Sequence, residues 1–167
     1  NHNRDLQRCF AFIDAAAAIG CDAVKFQLFK IEELFAPEIL SKSAEHRKRK
    51  EWELPVDFLP YISARCREKN IQFSCTPFYL DAVAELLPYI DFYKIASYEL
   101  LWKDLLMACA QAGKPVVLST GMATLTEINA AVKTIIAADC IDLTILHCIS
   151  GYPTPVSECN LAAIETM

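Results

Sequence analysis

The chain has 167 residues, an apolar fraction of 54% and a net charge of -5, which is enough length and hydrophobicity for one sizeable core. Mild acidity argues against a general nucleic-acid binder, which would carry a basic patch. No apolar run reaches the roughly 18 residues of a membrane helix. The basic run His46 to Lys50 is followed by Glu51 and Glu53 and reads as a solvated face. Eight cysteines fall mostly in predicted strands and helices without Cys-x-x-Cys spacing. They read as small buried hydrophobes in a reducing compartment, not as zinc ligands or a disulfide framework. No leader of charged then apolar residues is visible, so a cytoplasmic location is expected. The chain starts at Asn1 rather than Met, as a segment of a larger protein would.

Leu6, Cys9, Phe10 and Ile13 share one face of a predicted helix from Asp5 to Ile19, with Asn3 as N-cap and Gly20 just past its end. A first strand is expected over Ala23 to Phe26. The polar stretch from Lys30 to Glu53 exceeds a typical connection and reads as a lid-like insertion, expected to be mobile. Pro55 marks a helix that runs to about Lys69. Ile71 to Cys75 predicts a second strand, Leu80 to Leu87 a short helix and Ile90 to Ala96 a third strand. A helix over Leu101 to Ala112 is closed by Gly113, and Pro115 to Leu118 is a fourth strand. Thr124 and Glu127 fit a capping box for a helix reaching about Ala138. Ile141 to His147 is a fifth strand, and Asn160 to Met167 opens another helix.

Apolar strands alternating with helices imply a parallel α/β sheet covered on both faces. No Gly-x-Gly-x-x-Gly or Walker sequence follows a strand, which disfavours dinucleotide and P-loop sites. The fold expected is a TIM-type (β/α)8 barrel, present as a partial barrel of about five βα units in one domain over residues 1–167. One further strand is expected before Asn1 and two after Met167.

The predicted strands finish in polar residues, and the carboxyl ends of parallel strands are where such folds bind ligands. Lys25 has three readings: an anion ligand, a Schiff-base nucleophile, or a lysine paired with Glu99. Lys94 has a similar placement. With Thr76, Ser97, Ser119 and Ser150, the two lysines would form an oxyanion cradle of point charge and directed hydroxyl donors. Gln27 and Glu99 suit sugar hydroxyls, and Glu99 also suits proton transfer. His147 reads as a satisfied core residue. Tyr152, between Gly151 and Pro153, either walls a pocket or packs on the surface.

Six motifs carry a resemblance: Asn1-His-Asn3, Ala23-Val-Lys-Phe-Gln27, Cys75-Thr-Pro-Phe78, Tyr93-Lys-Ile-Ala-Ser97, the run Gly113 to Met122, and the run Leu146 to Pro155. In this order they resemble the sialic acid synthase family, the N-acetylneuraminate synthases with their pseudaminic, legionaminic and spore-coat relatives. The resemblance implies condensation of phosphoenolpyruvate with an N-acylated amino sugar such as N-acetylmannosamine, giving a nonulosonate and phosphate by C–O cleavage. It would assign Lys25, Thr76, Lys94, Ser97, Ser119 and Ser150 to phosphoenolpyruvate, Gln27 and Tyr152 to the sugar, and Glu99 to the reacting carbons.

The same resemblance implies a divalent metal (Mn2+ or Mg2+) with no ligands in this chain, its histidines lying in later segments. It also implies a C-terminal antifreeze-like domain outside the chain and a homodimer. Neither nucleic acid nor membrane is expected as a partner. Arg4 stands where the family usually has Gly, so the first loop is expected to differ. The competing readings are a Schiff-base aldolase using Lys25 or Lys94, and a catalytically degenerate paralogue.

Overall fold

A computed structural model describes residues 1–167. The chain divides into two compact units, Asn1–Asp91 and Phe92–Met167.

In the first unit, Asn3 and Arg4 both take left-handed backbone, with φ of 50° and 56°. Arg4 thus adopts the conformation that Gly would take most easily, and its guanidinium lies 3.5 Å from Glu53. Helix α1 (Leu6–Ala18) is capped by Asp5, not by the expected Asn3. Asp5 is extended, and its Oδ1 accepts from the backbone N–H of Gln7 at 2.8 Å and of Arg8 at 3.3 Å. Gly20 follows the helix at φ 81°, as its lack of Cβ permits.

Strand β1 (Ala23–Leu28) pairs in parallel with β2 (Gln72–Pro77), with Lys25 opposite Ser74 and Gln27 opposite Thr76. Successive residues alternate faces. Phe26, Leu28, Phe73 and Cys75 are buried, and Phe26 meets Phe73 edge-on at 6.0 Å. Lys25, Gln27, Ser74 and Thr76 share the other face.

The lid-like stretch has its own structure: α2 (Ile31–Leu34), α3 (Pro37–Lys42), α4 (Ala44–Lys48) and a 3-10 turn at Arg49–Trp52. Its two ends are pinned together. The buried Glu53 carboxylate accepts from the Ile31 N–H at 2.8 Å and faces Arg4. A 3-10 turn at Val56–Phe58 leads into α5 (Leu59–Glu68). The Arg65 guanidinium of α5 grips Asp14 of α1 with two hydrogen bonds, at 2.9 and 2.6 Å. Helix α6 (Asp81–Leu86) buries Ala82, Val83 and Leu86.

In the second unit, β3 (Phe92–Ile95), β4 (Val116–Ser119) and β5 (Leu143–Leu146) are parallel, in the order β3-β4-β5. Tyr93, Ile95, Val116 and Leu118 are buried on one face. Helix α7 (Lys103–Gln111) buries Leu105, Leu106, Cys109 and Ala110, and α8 (Leu125–Ala137) buries Ile128, Ala131 and Ile135. The Thr124–Glu127 capping box forms as expected. The helix expected from Asn160 shortens to a 3-10 turn at Leu161–Glu165, entered by Asn160 at φ 42°.

Five parallel strands, each led into or followed by helix, are the α/β architecture expected of a partial barrel. The cysteine reading is corrected in part. Cys9, Cys66, Cys75 and Cys109 are buried, whereas Cys21 is exposed and Cys140, Cys148 and Cys159 are half-buried. No helix is long and apolar enough to cross a membrane.

Candidate anion site at the strand ends

Lys94, Ser97, Ser119 and Ser150 all belong to the second unit, and the fold draws them into one cluster. Register puts Lys94 opposite Val117. Ser119, two residues further along β4, therefore points to the same face. The Lys94 ammonium donates a short hydrogen bond to Ser119 Oγ and another to the Ile95 carbonyl at 3.0 Å. After β3 the chain folds into a 3-10 turn at Ser97–Glu99. The Gly121 N–H donates to Ser97 Oγ at 3.0 Å. A Cβ on Gly121 would stand 2.4 Å from Ser150 Oγ and 3.0 Å from Ser97 Oγ, so only glycine allows these hydroxyls to close over the backbone. Cys148 Sγ lies 3.3 Å from Ser119 Oγ.

Gly121 and Cys148 were not singled out from the sequence. A glycine straight after a strand and hydroxyl residues signals close backbone approach, and that signal was available. Cys148 carried no such signal.

Glu99 is half-buried, and its Oε2 has no hydrogen-bond partner in the protein. Burial pushes its carboxyl up to about 7, against the opposing pull of its own backbone N–H and of the Lys94 charge. A carboxyl poised there exchanges a proton readily at neutral pH. His147 has a structural role, its Nε2 meeting the Cys159 carbonyl at 2.8 Å. Thr120 Oγ1 donates to the Leu146 carbonyl at 2.8 Å and ties the end of β4 to β5. Tyr152 is 93% exposed and packs against nothing in this chain.

In the first unit, Lys25, Gln27 and Thr76 share the polar strand face. Ser74, Thr76 and Gln27 flank Lys25 on that face. Burial lowers the Lys25 pKa from the usual lysine value, although the residue as a whole is exposed. Gln27 is exposed. Thr76 is fully buried, with no partner in the protein for Oγ1. No three His, Cys, Asp or Glu side chains of this chain converge.

Residues 12–167 match the profile of the NeuB family. The chain belongs to the NeuB family. Among curated relatives it is 33% identical over 177 residues to the spore coat polysaccharide biosynthesis protein SpsE of Bacillus subtilis, covering 100% of this chain and 47% of SpsE. It is 33% identical over 180 residues to the N,N'-diacetyllegionaminic acid synthase of Campylobacter jejuni, covering 100% of this chain and 54% of that enzyme. Among solved structures, the N-acetylneuraminic acid (sialic acid) synthetase of Leptospira borgpetersenii in complex with citrate superposes with a TM-score of 0.91 at 33% identity, covering 99% of this chain and 57% of that one. The chain spans about half the length of the curated relatives it matches. The Campylobacter and Leptospira relatives are named as synthases of nonulosonic acids, which accords with the resemblance read from the motifs.

Proposed function

We propose that the protein carrying this chain condenses phosphoenolpyruvate with an N-acylated amino sugar, N-acetylmannosamine or a similar sugar, to form a nonulosonate and phosphate. The observation that carries this reading is the Lys94–Ser119 pair gathered with Ser97 and Ser150 at strand ends. A cation with directed hydroxyls suits a substrate bearing both a phosphate and a carboxylate. The Leptospira relative was solved with citrate, also a polyanion. Lys25 and Thr76 are assigned to phosphoenolpyruvate, and Gln27 and Tyr152 to the sugar, by resemblance to the family.

In the proposed chemistry, the terminal enol carbon of phosphoenolpyruvate attacks the aldehyde carbon of the open-chain sugar. The neighbouring carbon becomes an oxocarbenium centre, and water adds there. That water loses its proton, the C–O bond to phosphate breaks, and a ketone remains. Lys94 and the serines hold the phosphate and carboxylate while charge shifts between them. Glu99, near half-protonated at neutral pH, hands a proton to the aldehyde oxygen as it gains charge. A divalent metal, Mn2+ or Mg2+, would polarise the aldehyde when bound; its ligands are assigned to no residue of this chain. The resemblance adds a homodimer to the proposal.

The test is phosphate release from phosphoenolpyruvate by the protein with Mn2+, across a panel of N-acyl amino sugars. Release that requires both the sugar and the metal is expected. A folded protein that binds Mn2+ yet releases no phosphate with any sugar of the panel would overturn the reading. Trapping of a pyruvate imine by borohydride would replace it with a Schiff-base aldolase.

A further inference from the structure

We infer that Cys148 is a positioning residue, whose thiol aims the Ser119 hydroxyl proton at the bound anion. The inference rests on the reading of the second unit's cluster as an anion site. Ser119 is 6% exposed, and a buried hydroxyl needs partners. A serine hydroxyl has one proton to give and two lone pairs to receive with. The Lys94 ammonium can only donate, so it takes one lone pair. The Cys148 S–H, at 3.3 Å, takes the other. With both lone pairs engaged, the O–H has one direction left, away from the lysine and the thiol.

Without the thiol, Ser119 is free to rotate, and its proton can point away from a ligand in some conformers. The thiol is a weak donor, so its effect is to select an orientation more than to add strength. Serine at 148 would keep a donor in reach, whereas alanine would not.

The experiment is a double-mutant cycle read by equilibrium binding, run in parallel with phosphoenolpyruvate and with inorganic phosphate on the intact protein. Cys148→Ala is expected to weaken both ligands by about three- to fivefold, the size of one modest hydrogen bond. Cys148→Ser should stay within about twofold of wild type. In a Ser119→Ala background, Cys148→Ala should change nothing further. Equal losses with and without Ser119, an unchanged Cys148→Ala, or a Cys148→Ser as weak as alanine would each overturn the inference. A wild type that binds phosphate but not phosphoenolpyruvate overturns the substrate reading alone, and the phosphate cycle still decides the role of Cys148. A wild type that binds neither overturns both.

Discussion

The polar strand faces of the two units are built in opposite ways. In the second unit the groups hold one another: Lys94 bonds Ser119, Cys148 bonds Ser119 and the Gly121 N–H bonds Ser97. In the first unit Lys25 stands exposed and Thr76 is buried with nothing in the protein to bond. Groups that hold each other are set before a ligand arrives, which lowers the cost of binding. Groups without a mutual partner depend on the ligand to satisfy them. The second unit is therefore the better place to expect tight, preorganised anion binding, and the first the better place to expect side chains whose roles emerge only when a ligand is bound.

Removing the charge at the centre of the held cluster should have the largest effect. Lys94→Ala takes away the cation and leaves the buried Ser119 without its main donor. Phosphoenolpyruvate affinity should fall by about 100-fold, as expected for a charged hydrogen bond lost in a buried site. Isothermal titration would measure it, and a fall below tenfold would mean that the cluster is not the anion's main anchor. Gly121→Ala comes next. Its new methyl would sit 2.4 Å from Ser150 Oγ, and overpacking of this kind costs about 1–3 kcal/mol of stability. Urea unfolding would show it, together with weaker anion binding as Ser97 and Ser150 are pushed apart.

Glu99 sets a smaller effect with a definite sign. Its folded pKa is raised from 4.5 to about 7, chiefly by burial. The native state thus holds this proton more tightly than the unfolded chain. Protonated Glu99 costs no stability, and the penalty enters as pH rises from the unfolded value through the folded one, then levels off. Glu99→Gln removes the ionising group and should gain about 1–2 kcal/mol at pH 8, with no gain at pH 4. Unfolding free energies measured across that range would check it. A gain that is the same at both ends would mean the benefit is not ionisation. If Glu99 moves the proton in catalysis, the same variant should lose turnover while it gains stability.

Much of the βα alternation was legible because buried parallel strands read as short apolar runs bounded by helix signals. The Thr124–Glu127 capping box was legible because its two side chains are local partners. The N-cap was misread because Asn3 and Asp5 are both good capping residues, and only the left-handed turn at Asn3 and Arg4 decides between them. The 30–53 stretch read as a mobile lid because its charged residues mask the buried Glu53 tie between its ends. In the candidate site, lysines and serines at strand ends could be picked by type and position. Gly121 carried a local signal, a glycine straight after a strand and hydroxyls, whereas Cys148 carried none, since its importance lies in a distance between segments far apart in sequence. Tyr152 was harder to place: a rigid Gly-Tyr-Pro sequence suggests a wall, but nothing local says which way the ring points, and in this chain it is exposed.

The comparison between the units is sharpest at Thr76, where the expected change is small. Thr76→Val keeps the shape of the side chain and removes a buried hydroxyl that has no partner in the protein. Removing an unsatisfied buried polar group is neutral or stabilising, so stability should hold or rise by up to about 1 kcal/mol. The same deletion in the second unit, Ser119→Ala, removes a buried hydroxyl that bonds both the Lys94 ammonium and the Cys148 thiol, and should lower stability instead. Opposite signs for two hydroxyl deletions would establish that one unit is braced internally and the other completed by ligand. If Thr76→Val also weakens phosphoenolpyruvate about fivefold, the ligand supplies the missing partner. Equal destabilisation by both substitutions would mean that Thr76 is satisfied after all, and the contrast between the two strand faces would fail.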